Sequence, residues 1–309
     1  MTLKAAIPKK GVARLVQAHP ELFDGIAFDF AEADGPGADV MPRMVNDLAY
    51  DVCDMSPSSF LIARERGVPI TALPVMTYCG FPFDQIDVRV AAGINTPREL
   101  AGKTIGVRTW TNPMKPWLFA ILSREFGIGA RDCSWVATIN DPLAGVALPP
   151  NARRSDGRSL SALMAAGDID AAIMLGKTDA RDIIPLFPDS MTPAAEWYTR
   201  TGILPIFHLL AVKTATVEQH PGLADALVDG FTRAKVLYLE QLRSVEPDMD
   251  ELVANDRRVM ERLGIDPVPY GVEQNRASLE MFIEAMVDHG YLTAAPPVES
   301  LFARVSELA

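Results

Sequence analysis

The sequence predicts an α/β fold of two lobes with a helix-rich C-terminal tail, on three observations. Short β-branched or apolar runs alternate with helical patterns in two successive sets, as layered α/β architectures require. The length of 309 residues exceeds the roughly 100–200 residues of a common single domain. After an apolar run from Gly202 to Lys213 the pattern turns mostly helical.

In the first set, LKAAI from Leu3, GIAFDF from Gly25, YDVCDM from Tyr50, PITALPV from Pro69 and DVRVAAG from Asp87 have strand character. Helical patterns lie between them, PRMVNDLA from Pro42 and SSFLIARERG from Ser58, the second stopped by Gly67. The second set opens with a short helix at Thr96–Pro97 and the strand KTIGVR. It continues with the amphipathic helix PWLFAILSREFG from Pro116, the strand SWVATI, and a helix, turn and strand over LSALMAAGDIDAAIML. GILPIFHLLAVK from Gly202 is a further strand, followed by helices beginning at Gly222, Asp250, Glu273 and Val298. Crossings near Val88 and Leu204 assign residues 1–87 and 208–309 to one lobe and 88–207 to the other, with a ligand cleft expected between them. The LYLEQL and LEMFIEAM faces of the tail pack internally or, alternatively, form a homodimer contact.

Composition narrows the function classes. With 49% hydrophobic and 22% charged residues the chain is an ordinary globular one. A net charge of −11 argues against a broad nucleic-acid or anionic-membrane surface, yet leaves room for a small basic pocket. Only Ala5, Ala6 and Ile7 precede Pro8, too short an apolar stretch for a secretory leader, and no window suits a membrane span, so a cytoplasmic protein is expected. Cys53, Cys79 and Cys133 form no C-x-x-C pair and read as reduced structural thiols. His19, His208, His220 and His289 show no metal-ligand spacing, so neither metal nor cofactor is expected.

The richest local chemistry is VRTWTNPMKPW, from Val107 to Trp117. A strand ending at Arg108 leads through Thr109, Trp110, Thr111 and Asn112 into a helix, whose N-terminal amides and dipole favour an anion. Arg108 and Lys115 add carboxylate-binding cations. Thr111 or Asn112 serves equally as an N-cap, and Trp110 and Trp117 either stack on an aromatic ligand or belong to the core. DMSPSSF from Asp54 joins a strand end to a helix, at the edge that faces the ligand crevice of open α/β sheets. Ser56, Ser58 and Ser59 are therefore candidate ligand donors, Ser58 doubling as a helix cap. No G-x-S-x-G elbow surrounds them, which disfavours a serine nucleophile. His208, in an apolar strand at a lobe crossing, reads as a structural histidine or a general acid. Arg43 is either a ligand contact or a solvated charge, and the basic cluster around Arg153 reads as a solvated loop.

The blocks ADVMPRMVNDLAYDVCDMSPSSFL, LAGKTIGVRTWTNPMKPWLFAIL, IIPLFPD and TGILPIFHLLAVK, in that order, resemble the 4,5-dihydroxyphthalate decarboxylase family, which is similar to type II periplasmic solute-binding proteins. The resemblance covers roughly residues 2–215, its most specific pieces being G-V-R-x-W-T and T-G-I-x-P-I-x-H. Two departures stand out. Asp54 replaces the family's usual glutamate, and Phe119 stands where an arginine is usual, which implies a monocarboxylated or differently substituted aromatic acid rather than a phthalate if that position faces the ligand. The resemblance implies a cofactor-independent decarboxylase of a hydroxylated aromatic acid. Arg108 and Thr109–Asn112 would hold a carboxylate, with Arg43 nearby. Trp110 and Trp117 would flank the ring, Ser56 and Ser58 would bind its hydroxyls, and His208 would protonate the ring carbon. The alternative it implies is a binding protein for a small anionic or aromatic ligand, without chemistry.

Overall fold

Apolar runs, several of them buried along nearly their whole length, assemble two sheets. The structure is a computed structural model that describes residues 1–32, 40–141, 143–244 and 250–306. Ala38 and Asp39, which begin the first family block, and the last three residues of the final helical pattern lie outside the described residues.

In chain order the elements are β1 (Thr2–Ala6), α1 (Arg14–Ala18), β2 (Ala27–Phe30), α2 (Val40–Asp47), β3 (Val52–Met55), α3 (Pro57–Glu65), β4 (Ile70–Cys79), β5 (Ile86–Arg89), β6 (Thr104–Val107), α4 (Met114–Phe126), β7 (Ser134–Ala137), β8 (Ala152–Arg154), α5 (Leu160–Ala166), β9 (Ala171–Ile173), β10 (Ile183–Pro185), α6 (Met191–Thr201), β11 (Ile206–Lys213), α7 (Thr214–Gln219), α8 (Leu223–Arg243), α9 (Glu251–Leu263) and α10 (Val272–Asp288). Local chemistry explains several boundaries. Ser56 caps α3 with Pro57 at its first position, Asp250 caps α9 through the amides of Leu252 and Val253, and Gly127 ends α4 in the left-handed conformation.

The chain divides into two units. The first comprises Met1–Gly80, Ile206–Glu280 and Pro296–Ala309 and holds the sheet β2-β1-β3-β11-β4; the second comprises Phe81–Pro205 and Met281–Ala295 and holds β10-β5-β9-β6-β7-β8. In the first sheet β1 runs parallel to β2 and β3, while β11 is antiparallel to β3 and β4. In the second, β6 is parallel to β7 and β9, and β5 reverses against β9 and β10. Helices α1 and α8 cover the first sheet, where Val12, Leu15, Leu73, Leu210, Leu227 and Phe231 form the core. Gly106 on β6 exists for close packing in the second unit: a Cβ there would stand 2.5 Å from Ile169 and 2.6 Å from Leu160 of α5.

The unit boundaries differ from those expected. Residues 81–87 were placed in the first lobe but belong to the second unit, because β5 hydrogen-bonds to β9 and β10. The segment 281–295 also leaves the first lobe, since Phe282 stacks on Trp117 and the Tyr291 hydroxyl donates to the Trp110 carbonyl. Two further expectations fail. The helix expected from Val298 is only a turn, Val298–Leu301, because Phe302 bridges to Ala72, and the supposed loop at Arg153 contains β8, paired parallel with β7. Among the described residues no helix is long and apolar enough to cross a membrane.

Candidate active site

In the first unit the site grows out of strand directions. Parallel β3 ends at Met55, and β11, running the opposite way, begins beside that end, with Leu210 opposite Asp54. His208 lies two residues before Leu210, on the same side of an alternating strand. Its Nδ1 is 2.5 Å from Oδ2 of Asp54, a carboxylate only 5% exposed, whereas the imidazole is 30% exposed. Thr77 donates its hydroxyl to the other carboxylate oxygen, Oδ1. Nδ1 engaged by Asp54 leaves Nε2 as the nitrogen available to a substrate.

Burial alone would push the His208 imidazolium toward deprotonation. The Asp54 charge and the hydrogen bond outweigh it, and the His208 pKa is raised above the ordinary value. Such a pair can act as a proton donor, its imidazolium favoured by a buried counter-ion.

The serines beside this pair are structural. Ser56, 3% exposed, caps α3 by accepting from the Ser59 amide at 3.3 Å and donates to the Ser59 hydroxyl at 3.0 Å. Ser58 is fully buried, 3.3 Å from the Ser56 hydroxyl. The cap is thus Ser56 rather than Ser58, and the hydroxyls expected to bind a ring are occupied within the helix start. Arg43 is exposed, with its guanidinium 5.3 Å from the centre of the Tyr50 ring. Burial pushes the thiols of Cys53 and Cys79 well up and that of Cys133 to about 12, so none is poised as a nucleophile.

In the second unit the loop after β6 has a different character. Arg108 is exposed, and its carbonyl accepts from the amides of Thr138 and Ile139. Thr109 is half-buried, and its carbonyl accepts from the Asn112 amide. Thr111 donates from its amide and hydroxyl to Asp141, at 2.7 and 2.9 Å, and Arg154 holds the other oxygen of Asp141 at 2.5 Å. Arg154 was expected to be solvated; it instead anchors a carboxylate 1% exposed. Asn112 turns inward, accepting from the Met114 amide at 2.9 Å and donating to the Met174 sulfur at 3.2 Å.

The aromatic residues here are core. Trp117 is fully buried and stacked on Phe282, with ring centres 5.2 Å apart. Trp110, 3% exposed, packs edge-on against Trp135 and Tyr291. Both were expected to flank a ligand ring, and the amphipathic period of α4 instead turns Trp117 into the interior. Lys115 was expected to bind a carboxylate. It is fully buried, its Nζ 3.0 Å from the centre of the Trp110 ring and 4.9 Å from those of Trp135 and Tyr291, without a hydrogen-bond partner among the described residues. Burial pulls its pKa well below the ordinary value, against a small opposing pull from Asp141. Phe119 is buried edge-on to Trp135, so the arginine absent at this position says nothing about how many carboxylates a substrate carries. Among the described residues no group of three or more His, Cys, Asp or Glu is placed to hold a metal ion.

Sequence comparison supplies the lineage. A 4,5-dihydroxyphthalate decarboxylase of Comamonas testosteroni is 33% identical over 254 residues, covering 76% of each chain. The chain belongs to the 4,5-dihydroxyphthalate decarboxylase family. A second decarboxylase of that name, from Pseudomonas putida, is 27% identical over 165 residues, 48% of this chain and 63% of its own length. Residues 24–146 match the family described as NMT1/THI5 like. The alkanesulfonate-binding protein SsuA of Xanthomonas axonopodis, solved bound to MOPS, superposes with a TM-score of 0.58 at 14% identity, covering 99% of this chain and 98% of its own. The fold of this family member is thus the two-lobed type II periplasmic-binding-protein class.

Of the expected site residues, the structure brings His208 to a carboxylate that sequence reading had singled out only as a departure from the family's glutamate. That carboxylate is Asp54, and Thr77, which donates to it, had no signal in the sequence.

Proposed function

We propose that this protein is a decarboxylase of a hydroxylated aromatic carboxylic acid, with His208 as the proton donor. The observation that carries the reading is the pairing of a partly exposed His208 with the buried Asp54 carboxylate, in a chain whose curated relatives are decarboxylases. Decarboxylation of such a ring needs a proton at the carbon bearing the carboxylate, followed by loss of carbon dioxide. The Nε2 proton of the imidazolium passes to that carbon while an ortho or para hydroxyl feeds electron density into the ring. The carbon–carboxylate bond then breaks, its electron pair restores aromaticity, carbon dioxide departs, and the imidazole takes a new proton from solvent. Asp54 stabilises the imidazolium before transfer and fixes the tautomer after it, as a general acid at neutral pH requires.

The substrate to assay first is 4,5-dihydroxyphthalate, with mono- and dihydroxybenzoates beside it. Purified protein is expected to release carbon dioxide from at least one of them, measured by headspace analysis and product chromatography. The fold likeness to a sulfonate-binding protein favours a second reading, capture of a small anion without chemistry. Thermal stabilisation by these acids with no turnover would select that second reading and sink the first.

A further inference from the structure

We propose that Thr77 is a positioning residue for the proton donor: a β-bulge on β4 turns its hydroxyl onto Asp54, which locks the carboxylate against His208. The proposal rests on the reading of His208 as the donor.

Register carries the argument. On β11 and β4, His208 stands opposite Tyr78 and the next residue, Leu209, stands opposite Met76, so Thr77 is the extra residue of a bulge. In a regular antiparallel pair a residue next to Tyr78 points to the other face of the sheet, away from His208. A bulge inserts one residue, bends the strand and re-aims a side chain. Here it brings the Thr77 hydroxyl to Oδ1 of Asp54, across β11 from β3, while Oδ2 faces Nδ1 of His208.

The consequence is geometric. Each carboxylate oxygen has its own donor, and neither donor lies on the strand that carries Asp54. Rotation of the carboxylate would break both hydrogen bonds at once in a site where Asp54 is 6% and Thr77 4% exposed. A buried acceptor left without its donor is costly, so the two bonds hold one rotamer. The charged group acting on His208 is Asp54 of β3. The Tyr78 phenol of β4 lies with its ring centre 6.2 Å from the imidazole, and α3, which also packs on β11, begins at the capped serines.

The test uses the full chain with Thr77→Val, which keeps shape and removes the donor, and Thr77→Ser, which keeps the donor. Ring nitrogen NMR of substrate-free protein reads the His208 titration. Thr77→Val is expected to lower the His208 pKa toward that of a free imidazole, and Thr77→Ser to retain the parent value. With an accepted substrate, kcat of Thr77→Val is expected to fall roughly tenfold to a hundredfold with KM unchanged, and its alkaline limb to move to lower pH. A His208 titration in Thr77→Val equal to or above the parent's, in protein that keeps its near-UV dichroism, would overturn the proposal. Because the titration needs no turnover, absence of carbon dioxide release would refute the decarboxylase reading while still leaving Thr77 decided.

Discussion

Each unit encloses a basic side chain, His208 partly and Lys115 fully, and the two are treated in opposite ways. His208 in the first unit faces a carboxylate that two donors hold in place, and its charged form is favoured despite burial. Lys115 in the second unit is enclosed by the faces of Trp110, Trp135 and Tyr291, with no acceptor for its amine among the described residues, and its charged form is disfavoured. His289, whose Nδ1 donates to the Ala285 carbonyl at 2.7 Å, follows the second pattern, its pKa pulled down to about 3 by burial and then by Lys115. Loss of solvent opposes the charge on all three. What separates an imidazole held charged from a neutral packing group is one buried counter-ion of good geometry, since ring faces do not replace an acceptor for each N–H.

That contrast can be broken most directly at His208. His208→Ala is expected to lower kcat by roughly 10²–10⁴-fold; steady-state rates at fixed pH decide it, and full activity would remove the imidazole from the reaction.

Asp54→Asn should act next in size. With the counter-ion gone, burial is left unopposed and the His208 pKa falls, so the alkaline limb of kcat moves down by about one pH unit or more. Stability follows the same sign. A raised folded pKa contributes stability that is fully present below the unfolded value near 6.5 and is lost as pH rises through the folded value. Urea melts of parent and Asp54→Asn should therefore differ more at pH 5.5 than at pH 8 or so.

Lys115→Met tests the opposite case. The lysine binds its proton more weakly folded than unfolded, so the parent gains stability as pH rises from the depressed value toward about 10.4. The variant, of similar volume, is expected to be more stable than the parent by ~1–3 kcal/mol at neutral pH. Its advantage should shrink as pH approaches about 10; an advantage that does not vary with pH would show the amine to be neutral-cost or charged.

The smallest effect belongs to Arg43→Ala, which removes an exposed cation from the Tyr50 face. Here a loss of about 0.5–1 kcal/mol is expected in denaturant melts, and a larger one would mean that ring contact outweighs solvent for an exposed cation as well.

Much of the architecture was legible because it follows from local periodicity. The strands at Thr2, Val52, Ile70, Thr104, Ser134 and Ile206, the long α8 and the α4 boundary at Gly127 are all written in apolar spacing and helix stops. The serines, the tryptophans and Lys115 were visible as residue types, but their roles were not. Ser56 and Ser58 close a helix start, and Trp117 and Trp110 fill a core, because side-chain direction depends on what packs opposite. Helix α6, over Met191–Thr201, was missed.

The sequence by itself determined the α/β alternation, the family blocks and the presence of a histidine in an apolar strand. Only the tertiary structure decided which group that histidine meets. Asp54 and His208 are 154 positions apart, and they meet because β11 returns antiparallel beside β3 while a bulge on β4 supplies Thr77. Strand order and bulge register arise from packing between distant segments, and no local pattern encodes them.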